Sequence, residues 1–296
     1  MDLKHLRYFV AVGEELHFRR AAERLHIAQP ALSVQIKALE AYLGGKLIAR
    51  NNRRVELTDT GHLFLKQARQ ILNQVDSLTR LTRRALMGEI GLLRLAYSGS
   101  AAETGILAKV TRSFQRRAAD VEIRAAEMHP RLQLAALTNG DIHAALMPTL
   151  SLTLPAQLQA LKLGEWPLRL ALPNNHPLLD KKQIHIADIE QESFVVCAAH
   201  DRDDGTSIFR HALGFIPAIG QRVATVNMVI ALVGAGLGLG LLPASMASAA
   251  KQAGAVLKPV SKVNVKPDLS LVTLRNPQDP VTRQLLAVAQ AEFAAR

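Results

Sequence analysis

The 296-residue sequence predicts an α+β chain in two parts, a largely helical first third and an alternating α/β remainder. Three observations predict this. Up to about residue 87, apolar residues recur at helical spacing, interrupted by one short pair of strand-like runs. From Leu92 onward, strand-like and helical runs alternate. Hydrophobic residues make up 49% of the chain, enough for a sizeable core and too many for disorder.

In the first part, Asp2 is placed to cap a helix carrying Leu3, Leu6, Phe9, Val10 and Leu16 on its apolar side. A short helix follows from Phe18 to Leu25, with Ala21, Ala22 and Leu25 on one side. His26, Ile27 and Ala28 make a turn, and a second helix begins at Pro30, where the missing N–H is not needed. Leu32, Ile36, Leu39 and Leu43 form its apolar stripe, and Gly44-Gly45 stops it. The opposite face carries Pro30, Ser33, Val34 and Lys37, with Gln29 at the leading end. A helix anchored on one side and small or polar on the other suits insertion into a DNA major groove.

Leu47-Ile48 and Val55-Glu56-Leu57 read as two strands joined by the Asn51-Asn52 turn. This hairpin is a wing, tipped by Arg50, Arg53 and Arg54, residues suited to phosphates or a narrow minor groove. Together with the helix pair it makes a winged helix-turn-helix over residues 1–58. Thr58 then caps a helix spanning 59–88, about 45 Å at 1.5 Å per residue. Phe64, Ala68, Ile71, Val75 and Leu78 alternate spacings of four and three, continued by Thr82 and Ala85. That is a heptad seam, and it asks for the same helix from a second chain, making a homodimer. Gly88 and Gly91 read as a hinge.

Charge agrees with a polyanionic partner. The chain carries +11 overall. Residues 1–88 hold 15 Lys and Arg against 8 Asp and Glu, and the remainder holds 21 against 17. The excess therefore concentrates beside the groove-sized helix. Cys197, the single cysteine, excludes an internal disulfide and any cysteine-based zinc site. It reads as a small core residue rather than a redox sensor. The charged start MDLKHLRYF is not a signal peptide, and the glycine-broken Val226–Leu242 run is no membrane span, so a cytoplasmic location is expected. No cofactor is expected: GAGLGLG at 234–240 sits at a helix end, not in a dinucleotide loop. The acidic run Asp201, Asp203 and Asp204 lacks ligands at metal spacing. These absences weigh against an enzyme.

The second part, 91–296, reads as a doubly wound parallel sheet in two lobes, 91–160 with 268–296 and 161–267. LLRLAY, Val121 to Ala125 and His143 to Met147 are its first strands, with helices at Gly105–Ala118 and from Pro130. LKLGEWPLRLALP, SFVVC, Gln221 to Ala224 and Leu239 to Leu242 supply strands to the second lobe, with helices near Ser207–Leu213 and after Thr225. Leu269 to Leu274 and a helix over 281–294 rejoin the first lobe. Ligands of open α/β sheets sit at the carboxyl ends of strands, beside helix starts. That rule selects Ser98, Gly99, Ser100 and Ala101 after the first strand, His129 after the second and Met147 after the third. In the second lobe it selects Cys197 to His200, and Thr225 and Asn227 at the last helix.

HLRYFVAVGEE, FRRAAERLHIAQPALSVQIKALEAYLGGKLIAR and VELTDTG together resemble the N-terminal module of LysR-type transcriptional regulators. The order of parts resembles that family along the whole chain, and two lobes with two crossovers resemble its type 2 periplasmic-binding-protein-like sensor. The resemblance implies a DNA-binding regulator that works as a dimer or tetramer on paired half-sites and responds to a small-molecule effector. It implies base-edge contacts from Gln29, Pro30 and Ser33, groove contact from Val34 and Lys37, and backbone or minor-groove contact from Arg50, Arg53 and Arg54. Many members carry arginine where this chain has Val34, which can only touch a thymine methyl or fill space. RYFVAV, IAQPALS and AYSGS are similar to regulators of aromatic-compound breakdown, which implies an aromatic or organic acid as effector. Relatives there hold a carboxylate at two loops. Ser100 matches the first, while Pro130 stands at the second and leaves the contact to His129.

Overall fold

A computed structural model of the chain describes residues 1–51, 54–150, 152–198 and 205–293, with the side chains of 50, 51 and 54 set aside. The chain divides into two compact units, Met1–Arg84 and Ala85–Arg296.

The first unit comprises α1 (Leu3–Glu15), α2 (Phe18–Arg24), α3 (Gln29–Leu43), β1 (Ile48–Asn51), β2 (Arg54–Leu57) and α4 (Asp59–Leu86), the last running to the boundary. Asp2 caps α1 by accepting from the amides of Lys4 and His5. Phe9, Ala21, Ala22, Leu32, Ile36, Leu39 and Leu47 close one core between the three helices and the hairpin. Leu43, expected on the α3 stripe, is 41% exposed. Glu40 takes the buried place instead, at 3% exposure. Its Oε1 accepts from the amides of Leu47 (3.0 Å) and Ile48 (3.1 Å), and Lys46 Nζ donates to Oε2 at 3.0 Å. The end of α3 is thereby tied to the first residues of the hairpin.

Thr58 Oγ1 accepts from the Gly61 amide at 2.9 Å and starts α4. A Cβ on Gly61 would fall 2.1 Å from the Leu47 carbonyl oxygen, so glycine is what lets α4 begin against the hairpin. Phe64, Leu65 and Ala68 belong to the core of their own unit. Phe64 stacks edge-on against Phe9, with centroids 5.1 Å apart. This corrects the expectation that Phe64 and Ala68 face a second chain. Only the later part of the stripe is open: Ile71 is 40% and Leu78 65% exposed, with Val75 half-buried between them.

The second unit continues with β3 (Ile90–Tyr97), α5 (Gly99–Glu103), α6 (Ile106–Arg117), β4 (Asp120–Glu127), α7 (Pro130–Asn139), β5 (Ala144–Met147) and β6 (Leu158–Glu165). After these come β7 (Leu168–Pro173), β8 (Ser193–Cys197), α8 (Ser207–Leu213), β9 (Ala218–Val223), α9 (Val226–Gly234) and β10 (Gly240–Pro243). The unit closes with α10 (Ala247–Gln252), β11 (Ala255–Lys258), β12 (Asp268–Leu274) and α11 (Pro280–Phe293). The first lobe holds the sheet β4-β3-β5-β12-β6. Phe114 and Leu285, from α6 and α11, pack on one sheet face, and Leu137 of α7 packs on the other. The second lobe holds β10-β7-β11 and β8-β9, joined by a parallel bridge between Phe194 and Leu239.

Of these three sheets only β8-β9 is all parallel, as expected; the other two are not. β12 runs antiparallel to β5 and β6, and β7 runs antiparallel to β10 and β11. The physical reason is the double crossing: a strand that leaves one lobe and a strand that returns to it pair in opposite senses. The first crossing follows Glu165, later than residue 161, because Leu161 to Glu165 still pair with β12. The two crossing segments run side by side. The Trp166 amide donates to the Pro267 carbonyl (3.1 Å) and the Leu168 amide to the Val265 carbonyl (2.9 Å). The sequence reading had no place for α5, α10 or β11. Each is a short element at a lobe's edge, with too few residues to show a period.

Candidate functional site

Two places merit description, one in each unit. In the first, α3 buries Leu32, Ile36 and Leu39 and turns its other side outward. Gln29, Pro30 and Lys37 are exposed, Val34 is 60% exposed and Ser33 is half-buried. Ala28 caps the helix with no side-chain bond, and Pro30 sits in its first turn. The first-turn amides therefore stay free of side-chain acceptors at the end that leads the helix. Gln29 Nε2 donates to Ser33 Oγ at 3.2 Å, so these two side chains are held as a pair one helical turn apart. His26 bends the chain into α3 with a φ of 54°. The hairpin pairs Ile48 with Leu57 and Asn51 with Arg54. Arg53 lies outside the described residues, as do the side chains of Arg50 and Arg54.

Glu14 stiffens this unit from behind. Its carboxylate meets Arg24 of α2 at 2.7 Å and Arg69 of α4 at 2.8 Å. Around Glu40, burial pushes the carboxyl up, but the Lys46 ammonium and the amides of Ile48 and Leu47 together outweigh it and hold the group below its ordinary range.

In the second unit a cleft of about 580 Å³ opens between the lobes. Ser98, Gly99 and Ser100 line it from the start of α5, and His129 and Pro130 from the start of α7. Cys197 and Thr225 line it from the second lobe, as do Leu241, Pro243 and Ser245. The crossing segments supply Trp166, Leu168, Pro267 and Asp268. Ser98 and Ser100 share a hydroxyl–hydroxyl bond of 3.0 Å. Thr225 Oγ1 accepts from the Met228 amide at 3.3 Å, capping α9. Cys197 Sγ donates weakly to the Ala224 carbonyl at 3.6 Å.

The strand-end rule reached part of this lining. Of the residues it selected, Ser98, Gly99, Ser100, His129, Cys197 and Thr225 border the cleft. Met147 does not: it is fully buried, packed with Leu137 and Val272 under α7, and Pro148 takes its place at the rim. Ala101 is likewise sealed in the first-lobe core, because Gly99 to Glu103 coil into α5 and turn it inward. Asn227 is exposed and points away from the lining, one residue past the Val226 that does border the cleft. His200 lies outside the described residues.

The sequence reading missed Glu127, Trp166, Ser245 and Asp268. Glu127 is the last residue of β4, one place before the loop where the reading began. Ser245 follows β10, another strand end that the same rule covers. Asp268 and Trp166 needed the crossover to be located, and Asp268 opens an antiparallel strand whose first residue faces the cleft. Its carboxylate accepts from Thr149 N and Leu150 N (both 2.9 Å), Thr149 Oγ1 (2.6 Å) and Ser270 Oγ (2.5 Å). Burial pushes this carboxyl up, and the hydroxyls of Ser270 and Thr149 with the two amides outweigh it, holding the group below its ordinary range. Among the described residues no group of histidine, cysteine and carboxylates could hold a metal ion, and no helix is long and apolar enough to cross a membrane.

Against known proteins, residues 88–294 match the family model described as the LysR substrate binding domain. Residues 3–62 match that of the bacterial regulatory helix-turn-helix protein, lysR family. The chain is 40% identical over 251 residues to the HTH-type transcriptional regulator YnfL of Escherichia coli, covering 83% of each. It is 34% identical over 253 residues to the HTH-type transcriptional regulator BenM of Acinetobacter baylyi, covering 84% of this chain and 82% of BenM. The crystal structure of full-length CbnR complexed with its target DNA aligns with a TM-score of 0.77 at 27% identity, over 99% of this chain and 100% of that one.

Proposed function

This chain belongs to the LysR family of DNA-binding transcriptional regulators, and from that premise we propose how its own residues divide the work. The outward side of α3 reads DNA. Gln29, Pro30 and Ser33 meet base edges, Val34 and Lys37 lie along the groove, and the wing arginines Arg50, Arg53 and Arg54 hold phosphates or the minor groove. The open stripe of α4 from Ile71 to Leu78 joins two copies, so that two α3 helices meet paired half-sites on one operator, and the second unit extends the assembly to a tetramer. The cleft between the lobes takes a small organic effector, and its closure changes how the pair of α3 helices engages DNA. The protein acts in the cytoplasm, as a regulator and not as a catalyst.

The observation that carries the DNA reading is the split of α3. Leu32, Ile36 and Leu39 are sealed in the core while Val34 and Lys37 stand free on the opposite side. Its test is a footprint on the operator with the full chain, repeated across salt concentrations. Two symmetric protected half-sites are expected, with the salt slope lowered by about one in Arg53→Ala. A single unsymmetric site would sink the dimeric reading, and an unchanged slope would remove the wing from the interface.

A further inference from the structure

The cleft has a charge character that the effector must match. Among its described lining residues there is no lysine and no arginine, while two carboxylates, Glu127 and Asp268, border it. Asp268 is engaged by four donors from Thr149, Leu150 and Ser270. Glu127 is different. It is exposed at the end of β4, and its carboxylate has no hydrogen bond or ion pair among the described residues. It leans over the start of α5, where a Cβ on Gly99 would come 2.9 Å from its Oε1 and 3.1 Å from Val226 Cγ1 of the second lobe. A free carboxylate thus stands where the lobes approach each other.

The remainder of the lining is largely apolar, with Trp166, Leu168, Ile208, Leu241 and Leu269 among its residues. Ser245 Oγ, closed off from solvent, has no hydrogen-bond partner among the described residues. The starts of α7 and α9 offer fewer free amides than usual, while that of α5 has no side-chain cap. α7 begins with Pro130, which has no N–H, and the first turn of α9 already spends an amide on Thr225. A carboxylate ligand drawn out of water here would meet the like charge of Glu127 and Asp268 and no lysine or arginine among the described lining residues, an unfavourable exchange. A ligand that donates hydrogen bonds would meet an acceptor at Glu127.

Resting on the effector-cleft reading above, we infer that this cleft is built for a small, mostly apolar molecule whose polar end is an uncharged or cationic hydrogen-bond donor directed at Glu127. A pocket of this volume suits a small organic ligand.

The test uses the full-length chain and three probes of one shape and different charge: benzoate, benzamide and benzamidinium. Calorimetric titration of each is expected to give the tightest binding for benzamidinium, then benzamide, with benzoate weaker than benzamidinium by at least about tenfold. In Glu127→Gln, benzamidinium and benzamide should bind within about twofold of each other, with benzamide little changed. Glu127 is exposed, so this variant should fold. Leu150→Trp, at another exposed lining position, separates the two levels of the claim. If benzoate binds best and Leu150→Trp abolishes its binding, the cleft reading stands and the ligand class is overturned. If binding of every probe survives Leu150→Trp, the cleft reading itself fails. No difference among the three probes, including no binding by any of them, overturns the inferred class.

Discussion

The two ends of α4 carry the same spacing of apolar residues and have opposite environments. Phe64, Leu65 and Ala68 are packed against α1 and the hairpin of their own unit. Ile71 and Leu78, one and two heptads further on, are open to solvent. α3 divides in the same way around its circumference rather than along its length. Leu32, Ile36, Leu39 and Glu40 face inward while Gln29, Val34 and Lys37 face outward. An apolar period states that a stripe must be covered and leaves open what covers it. The inward residues set the stability of the unit, and the outward ones act only when another molecule is present. Substitutions can therefore be sorted by whether their effect depends on a partner.

The largest effect expected is Leu65→Ala. Leu65 is sealed against Gly13, whose Cβ position lies 3.1 Å from Leu65 Cδ1. Removing three buried carbons should cost about 3 kcal/mol. Amide hydrogen exchange in α1 to α3 reports the loss for this unit alone, which avoids treating a two-unit chain as two-state. The effect should be the same at every protein concentration. A concentration-dependent loss would mean that this end of α4 also faces a partner.

Glu40→Gln comes next. Two backbone amides and Lys46 depend on this carboxylate, and weakening those charge-assisted bonds should cost about 1–3 kcal/mol. The sign with pH follows from its depressed value. The stabilisation is complete above the ordinary carboxylate value of 4.5 and fades as pH falls through the lower folded value. Exchange protection of Leu47 and Ile48 should therefore drop on acidification in the parent chain and stay flat in the glutamine variant. Equal acid sensitivity in both would remove Glu40 as the cause.

Legibility followed the same division. The inward face of α3 and its turn could be read because Leu32, Ile36 and Leu39 obey one local period and Pro30 and Gly44 mark its ends. Glu40 could not, because a buried carboxylate looks like a surface one until the Leu47 and Ile48 amides are brought to it across a turn. Ser98, Ser100 and His129 were reachable from the strand-end rule, which needs only strands and their order. Met147 and Ala101 were misread because the rule names a loop and not the side of it: a residue at the last place of a strand or inside a short helix turns into the core as readily as out of it. Trp166 and Asp268 depended on where the chain crosses between lobes, a long-range fact with no local trace, whereas Glu127 stands one place before the loop that the rule named.

On the outward side, Gln29 and Ser33 are expected to act as one reading unit, because Gln29 Nε2 is held on Ser33 Oγ. Each single alanine variant should change base preference at the operator by about 1 kcal/mol or more, and the double variant should change it by less than the sum. Exchange protection of the unit should move by less than about 0.5 kcal/mol. Competition binding against a library of altered half-sites gives the three values. Strict additivity would show that the pair reads two bases independently.

The smallest effect on the chain by itself is expected for Leu78→Ala. Leu78 is 65% exposed, so truncation removes little buried surface, and the protection of neighbouring amides should change by less than about 0.5 kcal/mol at high dilution. The same change should be felt strongly between copies. A seam formed by two α4 helices buries this leucine from each, and losing both side chains should raise the dissociation constant by roughly 10- to 100-fold. Sedimentation of a dilution series separates the two quantities. A dissociation constant equal to that of the parent chain would place the open half of α4 outside the oligomer contact. The heptad spacing from Phe64 to Leu78 would then serve only its first half, which the chain covers by itself.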